Sequence, residues 1–158
     1  MRCQLAAGLL VICAAVTRAD DDDLVIERYQ FTWIMAEAGK TQFAIEKNEK
    51  STRARLRHGS DAISMSLEDA ELLGAVLART DKFAEQLKGT KNQNESLGAG
   101  KYHVQFQTTE KGDFRVRVSP EKWMRVFATL KPAEAMALAE PMKKAVRAGA
   151  LVDRKIKL

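Results

Sequence analysis

Five arginines fall at every second position of two short segments. Arg53, Arg55 and Arg57 alternate with Ala54 and Leu56, and Arg115 and Arg117 alternate with Phe114, Val116 and Val118. Alternate residues of a strand point to one face. If the apolar set packs inward, the guanidinium groups face outward together. On the following segment Trp123, Arg125 and Phe127 share the same period. Guanidinium and aromatic planes on an open sheet can hold phosphates and stack bases without reading sequence. The alternative is that Trp123 and Phe127 bury under the chain's end or in an interface, with the arginines paired to acids on neighbouring strands. The candidate ligand contacts are therefore Arg53, Arg55, Arg57, Arg115, Arg117, Trp123, Arg125 and Phe127.

Other chemistry is sparse. His58 and His103 are the only histidines. His58, Ser60 and Asp61 are neighbours in sequence, but a triad needs convergent geometry, and a polar turn explains them as well. Glu68, Asp69 and Glu71 cluster where a helix should start, a place that favours acids without any catalytic role. The chain has no HExxH spacing, no P-loop and no dinucleotide-binding glycine pattern. Asn94-Glu95-Ser96 is a glycosylation sequon, meaningful only in a eukaryotic secretory pathway. The expectation is a binding protein, with no catalytic residue, cofactor or metal.

The elements that must carry these residues occur twice. "GKTQFAIEKNEKSTRARLRHG" opens at Gly39 and "GKYHVQFQTTEKGDFRVRVSP" at Gly100. Tyr102, Val104 and Phe106 alternate with His103, Gln105 and Gln107, the period of a half-buried strand. Glu110 to Asp113 is a short glycine-containing connection, so Phe114 to Val118 should return as a hairpin partner. A third strand follows in each copy. Ile63, Met65 and Leu67 are its inward set in the first, and Met124, Val126, Ala128 and Leu130 in the second. Ser66 then caps a helix, with Asp69 three residues on as a reciprocal capping partner. Leu67, Ala70, Leu73 and Leu77 form that helix's apolar stripe. Thr129 takes the capping place in copy two, Ala133, Met136 and Ala137 continue the stripe, and Pro141 should interrupt the helix. On this alignment Ala62–Ala78 matches Arg125–Pro141.

A longer strand, Leu24 to Met35, precedes copy one and carries Tyr29, Phe31 and Trp33 on one face. The polar stretch Lys88 to Gly100 reads as a linker, leaving no clear opening strand in copy two. The expected architecture is α+β: two strand-rich repeats, ββββα at 24–88 and βββα at 100–146, on one core. Small residues Gly74, Ala75 and Ala78, and Ala135, Ala137 and Ala139, would permit close helix approach in a homo-oligomer.

The first residues read differently. Arg2, an apolar run from Leu5 to Val16 and a small-residue site ending at Ala19 describe a secretory signal peptide at 1–19. The run is too short to span a membrane. Cys3 and Cys13, the only cysteines, would leave with it. The expected mature chain, 20–158, is secreted or periplasmic and has no thiol chemistry. The chain carries 26 basic and 21 acidic residues, net +5. Lys143, Lys144, Arg147, Arg154, Lys155 and Lys157, against Asp153 alone, make the end after Pro141 strongly basic. That end either meets an anionic surface or is a solvated helix end favoured by its own dipole.

The doubled unit, with "GKTQFAIE" at Gly39 to Glu46 and "ISMSLEDAELLGAVL" at Ile63 to Leu77, resembles the Whirly family. That family belongs to a wider single-stranded nucleic-acid-binding superfamily that includes the transcriptional positive cofactor four. The resemblance covers about Leu24 to Met142. It implies single strands bound across the sheet surfaces and helices that hold an oligomer together. The expected partner is a polyanion, in particular a single-stranded nucleic acid. The rival is a structural or partner-binding homo-oligomeric subunit with no nucleic-acid role.

Overall fold

The computed structural model describes residues 29–121 and 126–156. The signal segment, the strand residues before Tyr29, and Trp123 and Arg125 lie outside them. Four antiparallel strands, β1 (Gln30–Ala38), β2 (Thr41–Asn48), β3 (Thr52–His58) and β4 (Asp61–Met65), form one sheet in chain order. Helices α1 (Leu67–Leu77) and α2 (Thr80–Gln86) follow. The second half repeats the plan with β5 (Asn94–Ala99), β6 (Tyr102–Thr108), β7 (Phe114–Pro120), β8 (Ala128–Leu130), α3 (Pro132–Met142) and α4 (Ala145–Lys155). The chain is an α+β fold of two repeats.

Alternation sets the faces. In the first sheet Phe43, Ile45, Ala54, Leu56, Ile63 and Met65 are buried on the helix side. In the second, Val104, Phe106, Val116, Val118, Ala128 and Leu130 do the same. All of them join one hydrophobic cluster with both helix pairs. A bulge between Ile34 and Ala36 inserts Met35 into β1. Phe31 and Trp33 before it, and Ala36 and Ala38 after it, therefore all face the helices, as an extra residue resets the period of two.

The helices bind the repeats to each other. α1 packs on its own β3 and on β5 and β6 of the other sheet, while α3 packs on its own β7 and on β1 and β2. The tight turns take part as well. Gly39 and Gly100 each hold a left-handed φ, 59° and 60°, at the first of two loop positions in equivalent hairpins. A Cβ on Gly39 would collide with the carboxylate of Glu134, and one on Gly100 with the carboxylate of Asp69. Each acid stands three residues past its helix cap and reaches the hairpin of the other repeat. Burial, and Asp69 nearby, raise the pKa of the Tyr102 hydroxyl just after that second turn.

Several expectations change. The stretch read as a linker contains β5, which pairs with β6 from Asn94↔Gln107 to Ala99↔Tyr102. Its sequence is polar because it is an edge strand, buried only at Ala99 and half-buried at Leu97. The second half is thus ββββ rather than βββ. Its fourth strand is only three residues long, and the cap of α3 is Lys131, not Thr129. The Glu134 carboxylate accepts from the Lys131 N–H at 2.9 Å, whereas in copy one the Ser66 hydroxyl accepts from the Asp69 N–H at 3.0 Å. Each copy therefore makes one half of a capping box, since Asp69 is turned to the Gly100 hairpin. The two-residue shift replaces the expected stripe with Ala135, Leu138, Ala139 and Met142. These match Ala70, Leu73, Gly74 and Leu77 of α1. Ala62–Ala78 therefore corresponds to 127–143 rather than to Arg125–Pro141.

Pro141 does stand in the last turn of α3, which ends at Met142, and α4 restarts three residues later. The basic end is consequently a packed helix, with Ala145 and Gly149 buried and its cations outside. Gly74, Ala135 and Ala139 are buried within the chain, where α1 crosses α3.

Candidate nucleic-acid interface

The outward positions of the first sheet form rows across the strands. Ile34, Ala44, Arg55 and Ser64 lie side by side, Glu46 is opposite Arg53, and Gln42, Arg57 and Ala62 form a third row. All three arginines face away from the helices, as the alternation requires. Their electrostatics differ. Arg55 Nη1 donates to Glu46 Oε1 at 2.7 Å, and the Glu46 side chain is 15% exposed. Arg57 Nε donates to the Gly59 carbonyl at 3.0 Å. Among the described residues Arg53 has no carboxylate within salt-bridge distance. Beside it lies a polar recess of 290 Å³ lined by Gln30, Glu46, Asn48, Lys50, Ser51, Arg53 and Ser64.

The second sheet presents a different surface on the same plan. Its outward positions are Asn94 and Ser96 on β5, His103, Gln105 and Gln107 on β6, Arg115, Arg117 and Ser119 on β7, and Thr129 on β8. None is a carboxylate. Arg117 Nη1 donates to Gln107 Oε1 at 3.3 Å and lies 3.5 Å from Gln105 Oε1. Those carbonyls orient the guanidinium without neutralising it. Arg115 donates to the Phe114 carbonyl at 3.2 Å and approaches Asp113, at the start of the strand, to 3.8 Å. An exposed pair at that distance contributes little and leaves the cation available.

Comparison with protein-family models, with curated proteins and with solved structures finds no match to this chain.

Of the eight candidate contacts, the sheets bring Arg53, Arg55 and Arg57 together on one face and Arg115 with Arg117 on the other. Trp123 and Arg125 lie outside the described residues. Phe127 is a correction. It is 5% exposed, and its ring meets that of His58 edge-on at 6.4 Å. It cannot stack a base. It precedes β8 rather than alternating within it, so the period of two does not govern its direction. Glu46, Gln105 and Gln107 were missed as parts of the surface. The signal was present, because Gln105 and Gln107 alternate with Val104 and Phe106.

The histidine cluster does not converge. His58 Nδ1 shares a 2.7 Å hydrogen bond with Thr41 Oγ1, and Asp61 is its register partner across the β3–β4 turn. Thr41 is 2% exposed. Ser60 stands in the turn itself. Among the described residues no three His, Cys, Asp or Glu side chains gather as a metal site, and no helix is long and apolar enough to cross a membrane.

Proposed function

We propose that this chain is a non-enzymatic binding protein that holds a polyanion, specifically a single-stranded nucleic acid, on the outer surface of a sheet. The observation that carries the reading is the second sheet's outward surface: two arginines and two glutamines with no carboxylate among them. A guanidinium offers a rigid fork of donors that suits phosphate. Gln105, Gln107, Asn94 and Thr129 offer donors and acceptors that can meet base edges or riboses. The first sheet carries the related row Arg53, Arg55 and Arg57, with Glu46 among them. The resemblance to single-strand-binding proteins points the same way. The reading includes export with removal of residues 1–19, which intact-mass analysis of the native protein tests.

Binding should be electrostatic and modest. For single strands, log Kobs falls with log salt by about 0.7 per phosphate neutralised. Two arginines then give a slope of about −1.4. The test is a fluorescence-anisotropy titration with a single-stranded oligonucleotide over a salt series. Absence of binding at low salt overturns the nucleic-acid reading.

A second reading, a partner-binding homo-oligomeric subunit, has its own observation. Tyr29, just before edge strand β1, and Phe31 and Trp33 within it form a half-buried ladder, with ring centroids 5.5 and 6.0 Å apart. Ile34 on the opposite face is 50% exposed. Light scattering that shows a monomer at high protein concentration removes this reading.

A further inference from the structure

We infer that the two sheet faces are not equivalent: the single strand lies on the second sheet, and Glu46 withholds the related face of the first. The inference rests on the reading of the chain as a single-strand binder and names which surface serves it.

Register makes the comparison residue by residue. Thr41 pairs with His58 and Tyr102 with Pro120, at the same point of the two hairpins. Counting from there, Arg53 corresponds to Arg115 and Arg55 to Arg117. On the neighbouring strand Glu46 corresponds to Gln107. Ser64 and Thr129 are likewise equivalent beside the arginines. A carboxylate therefore occupies the place of a neutral amide, next to the same guanidinium.

The faces also differ at Ala44 for Gln105 and Arg57 for Ser119, but only the Glu46 exchange sets an anion between the two equivalent arginines. Glu46 lies diagonally from Arg55 and holds it at 2.7 Å, directly opposite Arg53. With its side chain 15% exposed, the carboxylate is shielded from solvent more than Arg55, which is 41% exposed. Partly buried charges are screened less than exposed ones. A phosphate approaching Arg55 meets a fixed like charge and a guanidinium already engaged. Gln107 orients Arg117 through its carbonyl and adds no charge. The recess beside Arg53 reinforces the point. Its other lining groups, Gln30, Asn48, Lys50, Ser51 and Ser64, are neutral or cationic, so Glu46 is its one anion among the described residues.

The experiment counts sites. A short single-stranded oligonucleotide is titrated at low salt into wild type, Glu46→Gln and Glu46→Ala, with stoichiometry read by calorimetry. Wild type is expected to bind one equivalent per chain, lost in Arg115→Ala/Arg117→Ala. E46Q is expected to bind a second equivalent and to retain one when Arg115→Ala/Arg117→Ala is added. Adding Arg53→Ala/Arg55→Ala to E46Q should remove that second equivalent. E46A provides the same readout should the glutamine refill the gap poorly, and thermal melts confirm that each variant folds. Two equivalents on wild type overturn the inference, as does a single unchanged equivalent on both Glu46 variants, with the single-strand reading left standing. Binding by the Glu46 variants but not by wild type also overturns it, because the second sheet is then silent. If neither wild type nor variants bind, both readings fall. Equal binding of heparin in place of the oligonucleotide would assign the surface to polyanions generally and overturn the choice of a single strand.

Discussion

Arg117 and Arg55 occupy equivalent places, and the diagonal neighbour that differs in charge is Gln107 for the first and Glu46 for the second. The amide of Gln107 and the carboxylate of Glu46 make the first a free cation and the second half of an ion pair. Arg115→Ala/Arg117→Ala should therefore weaken oligonucleotide binding and flatten its salt dependence, removing the slope of about −1.4 that two phosphate contacts produce. Anisotropy over a salt series measures both. Gly74 gives a second residue-level prediction, in which two effects compete. Replacing a mid-helix glycine by alanine favours the helix by about 1 kcal/mol. Here the added Cβ would meet the Lys143 backbone nitrogen at 2.6 Å and the Ala139 carbonyl at 2.9 Å. Backbone atoms at a helix crossing cannot move aside cheaply, and overpacking costs about 1–3 kcal/mol. Gly74→Ala should thus destabilise the protein by up to about 2 kcal/mol net. A urea titration showing a gain would mean that the α1–α3 crossing is looser than this geometry.

Helix α4 shows how an amphipathic element with a basic outer face becomes part of the fold. Its cations face out, and Asp153 ties its end to the first sheet through Lys47 Nζ at 2.6 Å and Thr52 Oγ1 at 2.5 Å. The hydrogen bond from Lys47, then that from Thr52, hold the Asp153 carboxyl below its ordinary pKa. A depressed folded-state pKa contributes stability above the unfolded value, and that contribution is lost as pH falls through the folded one. The group is exposed, so the contribution is small, under about 1 kcal/mol. Asp153→Asn should lower stability by that order at pH 7. The gap to wild type should close as pH falls below the ordinary carboxylate range. Urea unfolding at pH 7 and at about pH 3 compares the two. A gap that persists in acid would show that Asp153 acts through something other than its charge.

Over the whole molecule the repeats are interlocked rather than strung together. α1 covers the second sheet as well as its own, α3 covers the first, and Asp69 and Glu134 reach across to Gly100 and Gly39. Neither half can bury its apolar face alone. The chain cut between 90 and 91 should give two fragments, each without a cooperative urea transition by circular dichroism. Mixing them should restore one, because the missing cover is then supplied in trans. Two fragments that each unfold cooperatively would show that the repeats are independent domains. The full chain should unfold in a single transition, as expected of one shared core.

What the sequence determined is what periodicity can express. Alternation in β3, β6 and β7 named the buried residues and sent the arginines outward, because successive strand side chains must take opposite faces. Helical spacing named Ala70, Leu73 and Leu77, and Ser66 marked the start of α1. Those are local properties of a chain. Tertiary structure decided the rest. β5 has little hydrophobic pattern of its own and exists because β6 supplies its hydrogen-bond partners along one edge. Phe127 turned inward because it precedes β8 and finds the His58 ring. The partner of Arg55 is a diagonal neighbour on another strand, so it follows from register, which no single strand encodes. Even the helices' targets were invisible, since an apolar stripe states that something covers it and not which sheet. The identity of the cover emerged only when two similar halves met and each completed the other's core.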